Sequence, residues 1–319
     1  MNELRARVIA QEKGLYKISN GTEVRTAVVS GKYRYGVQTV SDYPAVGDYV
    51  IAEWPEGDGN AVITRLFPRR SCFIRKSAGT GNREQVVAAN IDTVFICMSL
   101  NKNFNIRRLE RYLSIAYDSG AAPVVVLTKS DLCSDVESKI LEVQNAAPGV
   151  DVLAVSLLDE DTGAVMRHVM RYVLPGRTVA FIGSSGVGKS TLLNVLFPHL
   201  ALQTGTVSQK IQRGRHTTRA VELFALTDTP DTGYLADTPG FSMLDFMRFD
   251  FFEKEDLLYT FREFTPYIGK CRYTRCTHTK EEGCAILNAV HDGIIPPSRH
   301  ESYRQLYDIL KEKHPWDKT

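Results

Sequence analysis

No apolar run in this chain reaches the length of a membrane span, and the opening segment MNELRARVIAQEKG carries no apolar leader. Both absences argue against a membrane partner and set the expectation of a cytoplasmic protein. Net charge is nearly missing too. Lys and Arg number 39 against 37 Asp and Glu, a formal +2, so any basic surface must come from local clustering rather than from the bulk balance. Internal repeats and low-complexity segments are absent. Cysteine is scarce, six in 319 residues, yet three of the six crowd between Cys271 and Cys284. In a reducing compartment that crowding favours metal binding over disulfides. What is present is ordinary for a folded chain: 43% hydrophobic and 24% charged residues, enough for two or three domains and a sizeable core.

Three textures follow one another. Up to about residue 70 the runs ARVIAQEKGLYKI, TEVRTAVVSGKYR, GDYVIAEW and NAVITRLF are β-rich and separated by turn signals such as SNG and PEGDGN. They read as a small closed barrel. Five strands suit an oligonucleotide-binding (OB) barrel, although periodicity alone does not separate that from an SH3-like one. A basic connector with Arg65, Arg69, Arg70, Arg75 and Lys76, followed by SAGTGNRE, reads as a mobile linker or loop. From about Ala88 strands alternate with helices, IDTVFICMSL, IRRLERYLSIAYDSG, APVVVLTKSDL, VESKILEVQNAA, VDVLAVSLL and GAVMRHVMRYV, the pattern of a doubly wound α/β domain. From about Phe251 the chain reads as helical around a Cys/His knot. The expected division is residues 1–70, 71–250 and 251–319.

The strongest local signal is GSSGVGKST. Gly183, Gly188, Lys189 and Ser190 fit the phosphate-loop pattern, and the loop follows the strand TVAFI and opens the helix STLLNVLF. Backbone N–H groups of Gly183, Ser184, Ser185, Gly186, Val187 and Gly188 can close around the phosphates, with Thr191 continuing into the helix. Lys189 neutralises β/γ charge, and the Ser190 hydroxyl is a magnesium ligand. In GYLADTPGF, Asp237 can hold magnesium through water and the Gly240 N–H can meet the γ-phosphate. The nearby TDTPD is rejected as the equivalent loop, because Asp231 would set a carboxylate against that phosphate.

The base is read from VVVLTKSDL. At the end of a buried strand it presents Thr128, Lys129 and Asp131. Asp131 can accept two hydrogen bonds from the N1–H and 2-amino group of guanine, whereas adenine offers neither donor. Thr128 stands where an Asn is usual, keeping a hydroxyl and losing an amide. Ser156, in VSLLDED after the next strand, fits the loop that backs the base. These parts run in the order base loop, base-backing loop, phosphate loop, switch, DxxG loop, which reverses the usual order and reads as a circular permutation.

At this point the chain resembles the RsgA (YjeQ/YloQ) family of circularly permuted GTPases that assist small ribosomal subunit maturation. The residues carrying the resemblance are PAVGDYV, NREQVVAANIDTVFI, NIRRLERYL, LTKSD, GSSGVGKSTLLN, GRHTTR, DTPGF and the Cys/His cluster. It implies an N-terminal OB-fold, a central GTPase domain and a C-terminal zinc domain, with binding of the 30S subunit and its 16S rRNA, hydrolysis of GTP to GDP stimulated by that subunit, and action as a monomer. Within GRHTTR it also implies a switch threonine, Thr218 in preference to Thr217, on magnesium and the γ-phosphate, and His216 as the residue that orients water. Phe241 follows the DxxG glycine where Ras-like enzymes carry a water-positioning Gln, so slow intrinsic turnover is expected.

The knot CRYTRCTHTKEEGC supplies Cys271, Cys276, His278 and Cys284, a set that suits tetrahedral zinc in a closed structural site. Free thiols are the alternative. The apolar stripe of the last helix, Tyr303, Leu306, Tyr307 and Leu310, reads as packing rather than base stacking. Two function classes stay open: a slow GTPase whose hydrolysis drives release from the subunit, and a nucleotide-gated RNA-binding factor in which occupancy alone matters. A P-loop ATPase is disfavoured by Asp131.

Overall fold

The computed structural model describes residues 2–12, 14–76, 84–102, 104–156, 162–184, 186–198, 221–226, 232–237 and 257–313. Five strands, β1 (Asn2–Glu12), β2 (Leu15–Ser19), β3 (Val24–Val29), β4 (Tyr49–Trp54) and β5 (Ala61–Leu66), close into a barrel of order β1-β2-β3-β5-β4. A short helix, α1 (Gly31–Gly36), sits between β3 and β4, and β3 pairs with β5 in parallel. This is OB-like topology, so strand order resolves what periodicity left open. Alternate residues Val50, Ala52 and Trp54 of β4 point inward to meet Val8, Ile18 and Ile63.

The basic part of the connector belongs to regular, bonded structure, while residues 77–83 of SAGTGNRE lie outside the described residues. Arg65 lies in β5, and Arg75 and Lys76 lie in β6 (Cys72–Lys76), which pairs antiparallel with β7 (Glu84–Ala89). Arg69 forks onto the fully buried Asp48 at 2.7 Å and donates to the carbonyls of Ser41 at 2.6 Å and Tyr43 at 2.8 Å. Its charge ties the barrel together. The motif PAVGDYV follows from the same packing: a Cβ on Gly47 would lie 1.9 Å from the Ala89 carbonyl oxygen, so no side chain fits.

The central sheet has the order β10-β9-β8-β11-β13-β12, built from β8 (Thr93–Ser99), β9 (Ala122–Thr128), β10 (Asp151–Val155), β11 (Thr178–Ile182), β12 (Glu222–Ala225) and β13 (Tyr234–Asp237). All pairs are parallel except β12 with β13. Alternation along β8 sends Val94, Ile96 and Met98 to one layer, shared with α2 (Ile106–Ser119) and α3 (Val136–Ala146). Phe95 and Cys97 go to the other, shared with α4 (Thr162–Met170) and α5 (Lys189–Leu196). Burial on both faces explains the unbroken apolar runs of these strands.

The barrel docks at the amino ends of the sheet. Arg7, almost fully buried, lies between the rings of Tyr49 and Tyr234, at 4.8 and 4.6 Å, and donates to the Thr178 hydroxyl and to the Gly47 carbonyl at 3.3 Å. The carboxyl ends of the strands are left on the opposite side.

Beyond the sheet come α6 (Leu257–Thr260), a 3-10 turn at Arg262–Tyr267, the Cys/His loop, α7 (Ala285–His291) and α8 (Pro297–Lys313). They pack on α2: Arg299 donates to Glu110 and to Glu263, each at 2.5 Å, and the hydroxyls of Ser114 and Thr260 share a hydrogen bond. Tyr303, Leu306 and Tyr307 are buried, as a packing stripe requires, while the side chain of Leu310 lies outside the described residues. No helix among the described residues is long and apolar enough to cross a membrane.

Candidate functional site

The phosphate loop leaves the end of β11, whose five residues are all buried, and enters α5 at Lys189. Three glycines make the turn possible. Gly183 has φ +156°, and a Cβ there would stand 2.5 Å from the Cys97 carbonyl oxygen; Gly186 and Gly188 are left-handed at φ +77° and +91°. Val187, 1% exposed, anchors the loop to the core beneath it. Lys189 bends its ammonium back to 3.4 Å from the Gly183 carbonyl, and Ser190 and Thr191 form the first turn of the helix.

The base-reading loop is attached to this one. The Thr128 hydroxyl, at a fully buried residue, donates to the Val187 carbonyl, and Lys129 donates from Nζ to the Gly186 carbonyl at 2.9 Å. Lys129 is itself left-handed, φ +58°, which turns the chain across the phosphate loop. The Thr in the usual Asn position therefore keeps the loop-to-loop bond that its hydroxyl can make. Asp131 is exposed and accepts a hydrogen bond from the buried Ser156 hydroxyl at 3.1 Å. The two base-side elements meet, with carboxylate acceptor capacity left for a ligand.

The register of β13 with β11, Ala236 opposite Ala180, brings Asp237 level with Phe181, two residues ahead of the phosphate loop. The Asp237 side chain and residues Ser185, His216, Thr217, Thr218, Gly240 and Phe241 lie outside the described residues. One contact went unnoticed in the sequence: Arg108, in the first turn of α2, donates from Nη1 to the Ser184 hydroxyl at 3.1 Å. Its only signal was its place in NIRRLERYL, a helix opening capped by Asn105.

The second centre is the Cys/His loop. The ligand atoms of Cys271, Cys276, His278 and Cys284 all lie within 4.8 Å of one another. Cys271 Sγ is 3.9 Å from Cys284 Sγ, and His278 Nδ1 is 3.4 Å and 3.5 Å from those two sulfurs. A tetrahedron with Zn–S bonds of about 2.3 Å has edges of roughly 3.8 Å, so the four donors fit zinc. The imidazole is presented by a left-handed backbone, φ +59°, and braced from α8. His300 donates to the His278 carbonyl at 2.7 Å and Tyr303 to the Thr277 carbonyl at 3.0 Å. Burial lowers the His278 pKa, keeping the ring neutral, and raises the thiols of Cys276, to about 12, and Cys284. Holding such thiols as thiolates takes a cation.

Asp131→Asn should shift preference from guanine to xanthine nucleotides, since xanthine presents an acceptor where guanine has its amino donor. Competition between GTP and XTP measures it. Unchanged discrimination would mean that another loop reads the base.

The RsgA GTPase family model matches residues 66–247 of this chain. The small ribosomal subunit biogenesis GTPase RsgA 2 of Lactiplantibacillus plantarum is 40% identical, covering 95% of this chain and 82% of that protein. The relative of the same description, RsgA, from Methanosarcina acetivorans is 39% identical over 89% and 74%. Among solved structures, YjeQ from Thermotoga maritima superposes with a TM-score of 0.72 at 25% identity over 97% of this chain and 99% of that one. YloQ, described as a circularly permuted GTPase, does so at 0.67 and 28%, over 98% and 97%.

Proposed function

The chain belongs to the RsgA GTPase family, and from that premise we propose that it works as a single chain in the cytoplasm, coupling GTP hydrolysis to late maturation of the small ribosomal subunit. As a member of the family it is a GTPase, converting GTP to GDP and phosphate with magnesium. In this reading residues 1–70 form an OB-fold that meets 16S rRNA, 71–250 the permuted GTPase domain, and 251–319 a helical domain held by one zinc ion on Cys271, Cys276, His278 and Cys284. The relatives' shared description as small ribosomal subunit biogenesis GTPases supports the partner.

The observation that carries the nucleotide reading is the bond between Thr128 and Val187, 59 residues apart in reversed order. It joins a guanine-reading loop to a phosphate loop as one site. Ser190, Thr218 and Asp237 would hold the magnesium, which would supply charge neutralisation at the β- and γ-phosphates. Lys189 adds a fixed cation there. With Phe241 in place of a water-positioning Gln, intrinsic turnover is slow, and contact with the 30S subunit stimulates it, with His216 orienting the attacking water. Hydrolysis then releases the protein.

The test is steady-state GTP hydrolysis with and without salt-washed 30S subunits, with 50S subunits and ATP as controls. Selective stimulation by 30S is expected, and His216→Ala should cut stimulated turnover by about 10²-fold, the usual share of one general base or water-positioning group, with GTP affinity kept. GTP-dependent 30S binding with no stimulation would instead favour the nucleotide-gated RNA-binding factor.

A further inference from the structure

The nucleotide site has two ends, and charge is arranged differently at each. At the base end Thr128 and Lys129 hold Val187 and Gly186, and Asp131 with Ser156 stands ready for the guanine. A triphosphate running outward from there meets the loop with its α-phosphate nearest the base and its γ-phosphate furthest away. The far end is Gly183 and Ser184, and two cations approach these successive residues: Lys189 Nζ at 3.4 Å from the Gly183 carbonyl, and Arg108 Nη1 at 3.1 Å from the Ser184 hydroxyl.

Lys189 is the ordinary phosphate-loop cation. Arg108 is additional. Its guanidinium carries five N–H donors in a fixed fork suited to phosphate oxygens, and one of them is engaged by Ser184. Among the described residues no carboxylate pairs with it, in contrast to Arg69, which sits on Asp48, and Arg299, which sits on Glu110 and Glu263. Among the described residues, this half-buried cation has no acid beside it and faces a loop whose pattern suits phosphate.

The helix beneath it is held firmly. Leu109 and Leu113 of α2 are in the core between helix and sheet, while Glu110 and Ser114 on its outer face bond Arg299 and Thr260. A side chain launched from a helix braced on both faces loses little freedom when it binds, so its contact is preorganised.

We propose that Arg108 is a ligand of the γ-phosphate, by which this protein holds GTP more tightly than GDP. The proposal rests on the phosphate-loop reading above and adds to it a residue that distinguishes the two nucleotides. On GTP binding the guanidinium keeps or exchanges its bond to Ser184 and donates to a terminal phosphate oxygen, a bond that GDP cannot accept.

The experiment is competition binding of GDP and a non-hydrolysable GTP analogue to the full-length protein with magnesium, for wild type, Arg108→Ala, Arg108→Lys, Lys189→Ala and Arg107→Ala. Arg108→Ala should weaken the GTP analogue by about 10-fold, the value of one charge-assisted hydrogen bond, and leave GDP unchanged. Arg108→Lys should recover part of the loss, and the exposed neighbour Arg107→Ala should change neither nucleotide. Equal weakening of both nucleotides by Arg108→Ala would make the residue a structural prop of the loop, and no weakening would make it a bystander; either overturns the proposal. Lys189→Ala separates the two levels. If it leaves both affinities intact the site itself has been misread, whereas a normal Lys189 effect beside a non-selective Arg108 effect sinks this inference alone.

Discussion

Replacing Lys189 by alanine is expected to weaken binding of both GTP and GDP by about 100-fold or more. The ammonium is half-buried at the mouth of the loop, 3.4 Å from the Gly183 carbonyl, and it makes no other hydrogen bond among the described residues. Its removal therefore costs the fold little. It costs the ligand a great deal, because a charge-assisted hydrogen bond contributes about 1.5–3 kcal/mol, the lysine meets the β-phosphate of both nucleotides and also the γ-phosphate of GTP, and each 1.4 kcal/mol is a factor of ten in affinity. The backbone N–H groups and the start of α5 remain, so residual weak binding should persist. Isothermal titration with each nucleotide measures the loss. Unchanged affinity in a folded variant would mean that the phosphates lie elsewhere.

The second large effect belongs to the Cys/His loop. Wild-type protein purified without chelator should carry one zinc per chain, and Cys284→Ser should carry none. Cys284 is 1% exposed and 3.9 Å from Cys271 Sγ, so a serine there leaves three ligands around a buried gap in the coordination shell. Structural zinc is worth on the order of 10 kcal/mol to a small domain, and losing even part of that should lower the unfolding midpoint of the C-terminal region by about 10 °C. The loop has other support. Glu281 accepts from the N–H groups of Thr277, Thr279 and Lys280; burial raises its pKa, but the Thr277 side-chain and backbone hydrogen bonds outweigh that and bring it down to about 2. Such bonds shape the turn around the cysteines without replacing the metal. Metal analysis and limited proteolysis read the result, with GTP binding retained as the control for the central sheet. A wild-type chain free of zinc, with stability indifferent to Cys284→Ser, would identify the four residues as plain thiols and a plain histidine.

Some of this protein could be read from residues in order along the chain. The spacing of Gly183, Gly188, Lys189 and Ser190 stood out because a backbone wrapped round phosphate needs left-handed turns and a cation at fixed offsets. The four candidate metal ligands stood out because three cysteines and a histidine crowd within a short loop. The order of the elements, base loop before phosphate loop, was enough to recognise a permutation. The helix of NIRRLERYL showed Leu109, Leu113 and Ala116 at helical spacing, and those three residues are buried against the sheet. Each of these signals is local: a turn, a period or a cluster imposes its pattern on neighbouring residues.

The connector was misread for the opposite reason. Arg69 fell within a connector read as a mobile linker or loop because its partner Asp48 lies 21 residues away, beyond the reach of local spacing. Arg7 reaches Thr178 across 171 residues, Arg299 reaches Glu110 across 189, and Arg108 reaches Ser184 across 76. None of these pairs leaves a trace in the spacing of its neighbours. Local chemistry marked out the candidate nucleotide loops and metal ligands, since each is specified by the conformation of a few adjacent residues. Strand order and layer packing decided which distant groups face one another, and with them whether an arginine braces a barrel, anchors a helix or meets the loop after β11.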